Sequence, residues 1–230
     1  MNKRIQRLGI GLALMGLVFF AAGGYTLYKT QQGANALQTF SAAQNVKLNY
    51  NDQGQLVDRG ETAGAAAIMS LLENDWGYAV DRGDLNPNDP LVNTASEYMY
   101  QMATISYHTL HGATTVTIPE DVVVDGQVVT KAGTYDFENT GKYWTGFDRA
   151  DPIQAAARDK IWTGTAHALI AELGVGSVTA SALTMGLGIA ALFVLVGLTV
   201  LMTGLELVWA ARASTEKAKA PAFKQVANPA

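Results

Sequence analysis

Two apolar runs divide the chain. The first, Leu8 to Tyr28 (LGIGLALMGLVFFAAGGYTLY), contains no charged residue. At about 1.5 Å per residue a helix of that length crosses a hydrocarbon layer of about 30 Å. Lys3, Arg4 and Arg7 precede it, and Tyr25 and Tyr28 close it as interfacial aromatics do. A basic start with small residues at Ala21, Ala22, Gly23 and Gly24 also fits a cleaved signal peptide. The run exceeds a signal core, which favours a retained anchor. The second run lies between Glu172 and Glu206 and is densest from Ala182 to Val208, with Trp209 and Arg212 at its end. It predicts a second transmembrane helix, with Glu206 close enough to the end to reach water.

Between the runs the periodicity changes. Helical spacing continues from Leu27 through Ala34, Leu37 and Phe40 to about Ala43. Val46 to Tyr50 alternates, Asn51-Asp52-Gln53-Gly54 reads as a turn, and Gln55-Leu56-Val57 returns, which predicts a small hairpin. Glu61 to Trp76 reads as a helix. Asp81 to Pro90 (DRGDLNPNDP) is a loop by composition. Asn93 or Thr94 caps a helix running to His111, stopped by Gly112. Its polar stripe is Glu97, Gln101, Thr104, His108 and His111. Thr114 to Ile118 alternates, and two valine-rich stretches flank Asp125-Gly126, a type I′ hairpin signal. Lys131-Ala132-Gly133 then turns into Thr134 to Phe137. Asp151-Pro152 starts a helix through Ile161, Trp162 and Ala166 toward Leu173, loosened at Gly174 and Gly176.

The expected fold class is therefore membrane α+β. Two transmembrane helices, N- and C-terminal, flank a mixed extracytoplasmic domain with small antiparallel hairpins. The expected segments are a cytoplasmic start at 1–7, a span at 8–28, the outer domain at 29–177, a second span at 178–211 and a disordered tail at 212–230.

Charge sets the orientation. Lys29 to Glu172 carries 9 basic and 18 acidic residues, a net of −9, whereas the two ends are basic. Basic flanks stay inside, so both termini are expected in the cytoplasm and the acidic middle outside the plasma membrane. The whole chain has 16 Lys+Arg against 20 Asp+Glu, which excludes a basic nucleic-acid binder. It has no cysteine, which excludes thiolate metal sites and cysteine nucleophiles.

Candidate chemistry is sparse, and no cofactor is expected. His108 and His111 stand at i and i+3, so both can face one metal ion, with His167 or Glu97 as a third donor. The simpler reading is two polar residues near a helix C-terminus, where positive charge is favoured. The Asp and Asn residues of 81–90 suit calcium in type, yet turn chemistry explains them, and the EF-hand pattern is missing. There is no Gly-x-Ser-x-Gly, no P-loop and no dinucleotide fingerprint after a strand, so the chain reads as a non-enzyme. Asp148-Arg149 and Arg158-Asp159 read as surface ion pairs. Tyr143, Trp144 and Phe147 form an aromatic cluster suited to core packing or a lipid surface.

The strongest hint is in the spans. Gly9, Gly16 and Gly23 recur every seven residues, as do Ala190, Gly197 and Gly204. Ala182, Gly186 and Ala190 add a small-xxx-small series. Small residues on one face let helices approach in lipid. The two spans can use one such face each for one another, and the Ala182/Gly186 face is then left for another membrane subunit or a second copy. The expected function is an accessory or scaffold subunit of a membrane complex, or a self-assembling oligomer. The alternatives are a metal- or solute-binding module using His108 and His111, and a membrane-anchored enzyme.

LNYNDQGQLVDRGETAGAAAIMSLLENDW and NDPLVNTASEYMYQMATISYHTLHG resemble a group of actinobacterial two-pass membrane proteins, many labelled "aromatic ring-opening dioxygenase LigA". The resemblance covers most of the segment between the runs and implies an actinobacterial plasma membrane. An extradiol dioxygenase holds iron with two histidines and a carboxylate. No positions here match such a motif, so no residues carry over.

Overall fold

The computed structural model describes residues 2–219 and is a mixed α and β chain with two long apolar helices. Its elements are α1 (Asn2–Gln44), α2 (Thr62–Ser70), a π-helical turn (Leu71–Asp75), α3 (Ala95–Leu110), β1 (Ala113–Ile118), β2 (Val122–Val124), β3 (Gln127–Thr130), β4 (Gly133–Glu138), α4 (Pro152–Ile161) and α5 (Gly164–Lys219). Two compact units divide them, one of residues 1–35 with 182–230, the other of 36–181.

The first unit is an antiparallel pair of helices joined by the heptad glycines. A Cβ added to Gly9 would lie 2.8 Å from the Gly204 carbonyl oxygen, and one on Gly23 would lie 2.8 Å from Val194 N and 3.0 Å from Ala190 O. Gly16 sits against the Leu201 backbone and 2.8 Å, by the same measure, from Gly197 O. The contacts advance seven residues along α1 while retreating seven along α5. A repeat of seven keeps one face in register only if the helices wind gently left-handed around each other. Gly186, expected on a face free for a partner, meets Thr30 of the same chain, with a would-be Cβ 2.7 Å from the hydroxyl. Of that second small face only Ala182 is exposed.

The larger side chains point the other way. Val18 is 68% exposed and Leu195 63%, so these are not the buried helices of a water-soluble core. Thr26, Thr199 and Thr203 donate their hydroxyl protons to the carbonyls one turn back, so none of these hydroxyls requires water. Glu206 is exposed. Helix α5 continues through Ser214 to Lys219, where a disordered tail was expected. The rest of that expected tail, with Lys224, lies outside the described residues.

In the second unit, the predicted cap of α3 is Thr94. Its hydroxyl accepts from Glu97 N while the Glu97 carboxylate accepts from Thr94 N, a reciprocal capping box. Gly112 stops the helix with φ of +108°. Asp151 caps α4 by accepting from Ile153 N at 2.9 Å, with Pro152 in the first turn. One core gathers Leu48, Ile68, Leu72, Val92, Tyr98, Ala103 and Leu173 around α2, α3 and the start of α5. A second gathers Leu110, Val116, Phe147, Ala157 and Trp162, where α4 packs on the sheet.

Four expectations change. The 46–57 hairpin is reduced to a tight reversal with one bridge, Tyr50 to Leu56, because Lys47 bridges to Leu91 instead. The Glu61–Trp76 helix ends in a π-helical turn from Leu71. The helix after Asp151 breaks at Trp162, whose indole N–H is drawn to the Lys142 carbonyl at 3.1 Å. Thr163 then caps the next helix by accepting from Ala166 N. Lys131-Ala132-Gly133 is no reversal. Ile118 pairs with Gly133, and after Pro119 the ladder resumes with Val122 opposite Thr130 and Val124 opposite Gln127. The strands thus form two two-stranded antiparallel sheets, β1 with β4 and β2 with β3, the β2–β3 ribbon reversing at Asp125-Gly126 with φ of +51° and +78°. Proline removes a ladder donor, which explains the interruption. The ribbon's tip is bare, with Val123, Val124, Val128 and Val129 each about half exposed.

Replacing Gly16 by Leu is expected to destabilise the helix pair by about 1–3 kcal/mol, the usual cost of forcing bulk into a packed contact. Gly24, with nothing within 4 Å of a would-be Cβ, should accept Leu at under about 0.5 kcal/mol. Reversible unfolding of the intact chain in mixed micelles, followed by circular dichroism, checks the difference.

Candidate functional site

The polar stripe expected on α3 does not face one way. Helix α3 is packed on more than one side, and Glu97 is 1% exposed. Its carboxylate accepts from the backbones of Asn93 and Thr94 and from the Thr94 hydroxyl, at 2.9 to 3.0 Å. Burial raises its pKa, these hydrogen bonds partly offset that, and Asp84 adds to the rise. Glu97 is a structural cap and not a metal donor.

His108 turns to Asp58 on the loop before α2, with Nε2 to Oδ1 at 2.9 Å. His111 takes Tyr107 O on its Nδ1 at 2.9 Å and stacks on the Tyr107 ring at 4.0 Å. The two histidines do line one open surface depression with Asn139 and Lys160. Lys160 is already spent, donating to the Thr115 carbonyl at 2.6 Å. His167 lies elsewhere, edge-on to Trp144 at 4.9 Å, with Nδ1 on Thr163 O. Among the described residues no group of three His, Asp or Glu side chains is placed to hold a metal ion. The donor set therefore does not fit the iron site of a ring-opening dioxygenase.

Asp58 and Glu97 act electrostatically on two tyrosines of the core. The hydroxyls of Tyr50 and Tyr100 are buried without a protein hydrogen-bond partner. Burial, then the Glu97 charge, pushes Tyr50 up to about 12. Burial, then Asp58 and Tyr50, raises Tyr100 as well. Both are neutral phenols at physiological pH.

The 81–90 loop is built from turn chemistry. Asp81 Oδ1 accepts from Gly83 N at 2.8 Å, and Asn86 Oδ1 accepts from Asn88 N at 2.9 Å. Arg82 pairs with Glu73 at 2.5 Å. The expected Arg158–Asp159 pair forms at 2.8 Å. Asp148 instead accepts from Ala150 N, and Arg149 lies over the Trp144 ring. Of the aromatic cluster, Phe147 is buried in the core, Trp144 is half-buried and Tyr143 is exposed. The Trp76 indole donates to Tyr143 at 2.8 Å, Phe147 packs on Phe137, and Arg158 lies over the Trp144 ring at 4.3 Å.

A cavity of about 330 Å³ is walled by the 37–44 stretch of α1, Tyr98 to Ile105 of α3, and Leu169 to Thr179 of α5. Tyr98 is its wedge. The ring rests on Gly176, where a Cβ would come within 2.6 Å, and the hydroxyl shares a 2.7 Å hydrogen bond with Ser41. Gly176, expected to loosen the helix, is a close-approach site within a continuous α5. Gln44 donates to Glu172 at 3.0 Å at the exposed mouth.

No family model, curated protein or solved structure matches this chain.

The Glu97 environment sets a pH dependence. A carboxyl whose pKa is raised by folding stabilises the fold fully below its unfolded value of 4.5 and loses that contribution as pH rises through the folded value. The free energy of unfolding, measured from pH 4 upward (roughly the ordinary carboxylate range), should therefore fall more steeply for the natural chain than for Glu97→Gln. Identical slopes would remove Glu97 as the cause.

Proposed function

We propose that the chain is a two-pass protein of the plasma membrane, with both termini in the cytoplasm and the acidic α+β unit outside. Its role is that of a non-enzymatic accessory subunit of a membrane complex. One observation carries the reading. The two apolar helices turn their glycines toward each other and their large side chains outward, an arrangement that suits lipid and not water. The net of −9 between the runs, against basic ends, supports the orientation.

The polar side chains argue for a supporting role. Glu97 is spent on a helix cap, His108 on Asp58 and Lys160 on a backbone carbonyl. That weakens the metal-module and enzyme alternatives. Self-assembly through the Ala182/Gly186 face is weakened too, since Gly186 is taken by Thr30. A protein partner has apolar surface to gain at the ribbon tip, where four valines stand half exposed.

Extraction into nanodiscs at native expression, followed by mass measurement, tests the role. The expected particle holds this chain and a defined membrane partner at fixed ratio. A bare monomer, or a homo-oligomer alone, would contradict it. Because the chain has no cysteine, single thiols report the topology. Asp125→Cys should react with an impermeant maleimide on intact cells, and Asn2→Cys only after permeabilisation.

A further inference from the structure

We infer that the three-helix cavity is a binding site for the single hydrocarbon chain of a neutral bilayer amphiphile, such as a monoalkyl glycerol. Its volume of about 330 Å³ lies in the range of small-ligand sites, and its interior is apolar, with Leu37, Val46, Ile105 and Leu173 among the walls. Tyr98, wedged on Gly176 and tied to Ser41, holds the α1 and α5 walls apart, so the cavity is built and not a packing fault.

Two observations select the occupant. Among the described residues the only charged group on the wall is Glu172, and no lysine or arginine lines the cavity. A fatty carboxylate or a phosphate would meet a like charge without a counter-charge, whereas a hydroxylated head can hydrogen-bond to Gln44, Gln101 and Glu172 at the mouth. The source is the bilayer. Phe40, Leu169 and Val175 leave the rim apolar and exposed, Val175 at 67%. From Leu173 to Leu205 the sequence of α5 carries no charged residue. The inference does not depend on the accessory-subunit reading, since it needs only a chain held at a membrane.

The test uses the full chain in phosphatidylcholine nanodiscs. The probe is a hexadecyl glycerol ether with a mid-chain diazirine, compared with the matching palmitate probe. Saturable photolabelling is expected within 37–46, 98–105 and 169–179, stronger for the ether by about tenfold, the effect of one uncompensated charge at the mouth. Ile105→Trp, which fills the cavity, should remove most of that labelling while the helical circular dichroism stays unchanged. Glu172→Arg should reverse the preference toward palmitate, a gain that misfolding cannot produce. Labelling confined to the 8–28 and 182–208 stretches, equal labelling by both probes, or labelling indifferent to both substitutions would overturn the site.

Discussion

The close approach of α1 and α5 at Gly9, Gly16 and Gly23 is the constraint on which the rest depends. Lipid tails are as apolar as leucine, so burying leucine between two spans gains little there. What holds such helices is dense contact, and a glycine opposite a backbone carbonyl allows the densest. The glycine faces of both helices are consumed by this pairing, and the threonine hydroxyls along it are satisfied within their own turns. The outward surface is then left to valine, leucine and phenylalanine, for which lipid is the compatible solvent. A chain that joins its own two ends this way leaves the unit of residues 36–181 to fold around its own two cores.

That unit follows from local rules wherever one side chain decides. A cap at Asn93 or Thr94, Asp151 with Pro152, Asp125 with Gly126, and Gly112 each fix a terminus or a turn by their own chemistry and were legible in the sequence, whereas the reciprocal bond of Glu97 to Thr94 was not. The differences arise where distant segments compete. Lys47 has a partner in Leu91, so the expected 46–57 hairpin gives up its ladder. Past Pro119 the chain leaves the β1–β4 pairing for a second one, β2 with β3, and local alternation does not show which strand pairs with which. Trp162 is pulled toward Lys142, and a helix that periodicity would continue is cut, although Thr163-Gly164 carried a usable capping signal.

The site was less legible than the fold, for the same reason. A helical wheel assigns Glu97 to the polar face of α3, yet the helix is packed on several sides and its buried carboxylate is satisfied by backbone N–H groups. His108 and His111 have the spacing of a ligand pair, but Asp58, fifty residues away, takes one and the helix's own carbonyl takes the other. The cavity wedged open by Tyr98 had no sequence signal except Gly176 within an otherwise regular helix. A glycine there reads equally as a bend or a close approach, and only the ring across from it decides.

The most direct test of the intrachain helix pair uses the facing rings of Phe19 and Phe193, whose centroids are 6.0 Å apart. Both can be replaced by cysteine without touching a glycine, in a chain that has no other thiol. Oxidation in native membranes should join the two within one chain, shifting the monomer's mobility and leaving no dimer. Disulfides formed only between chains would show that α1 and α5 do not pair as the heptad glycines require.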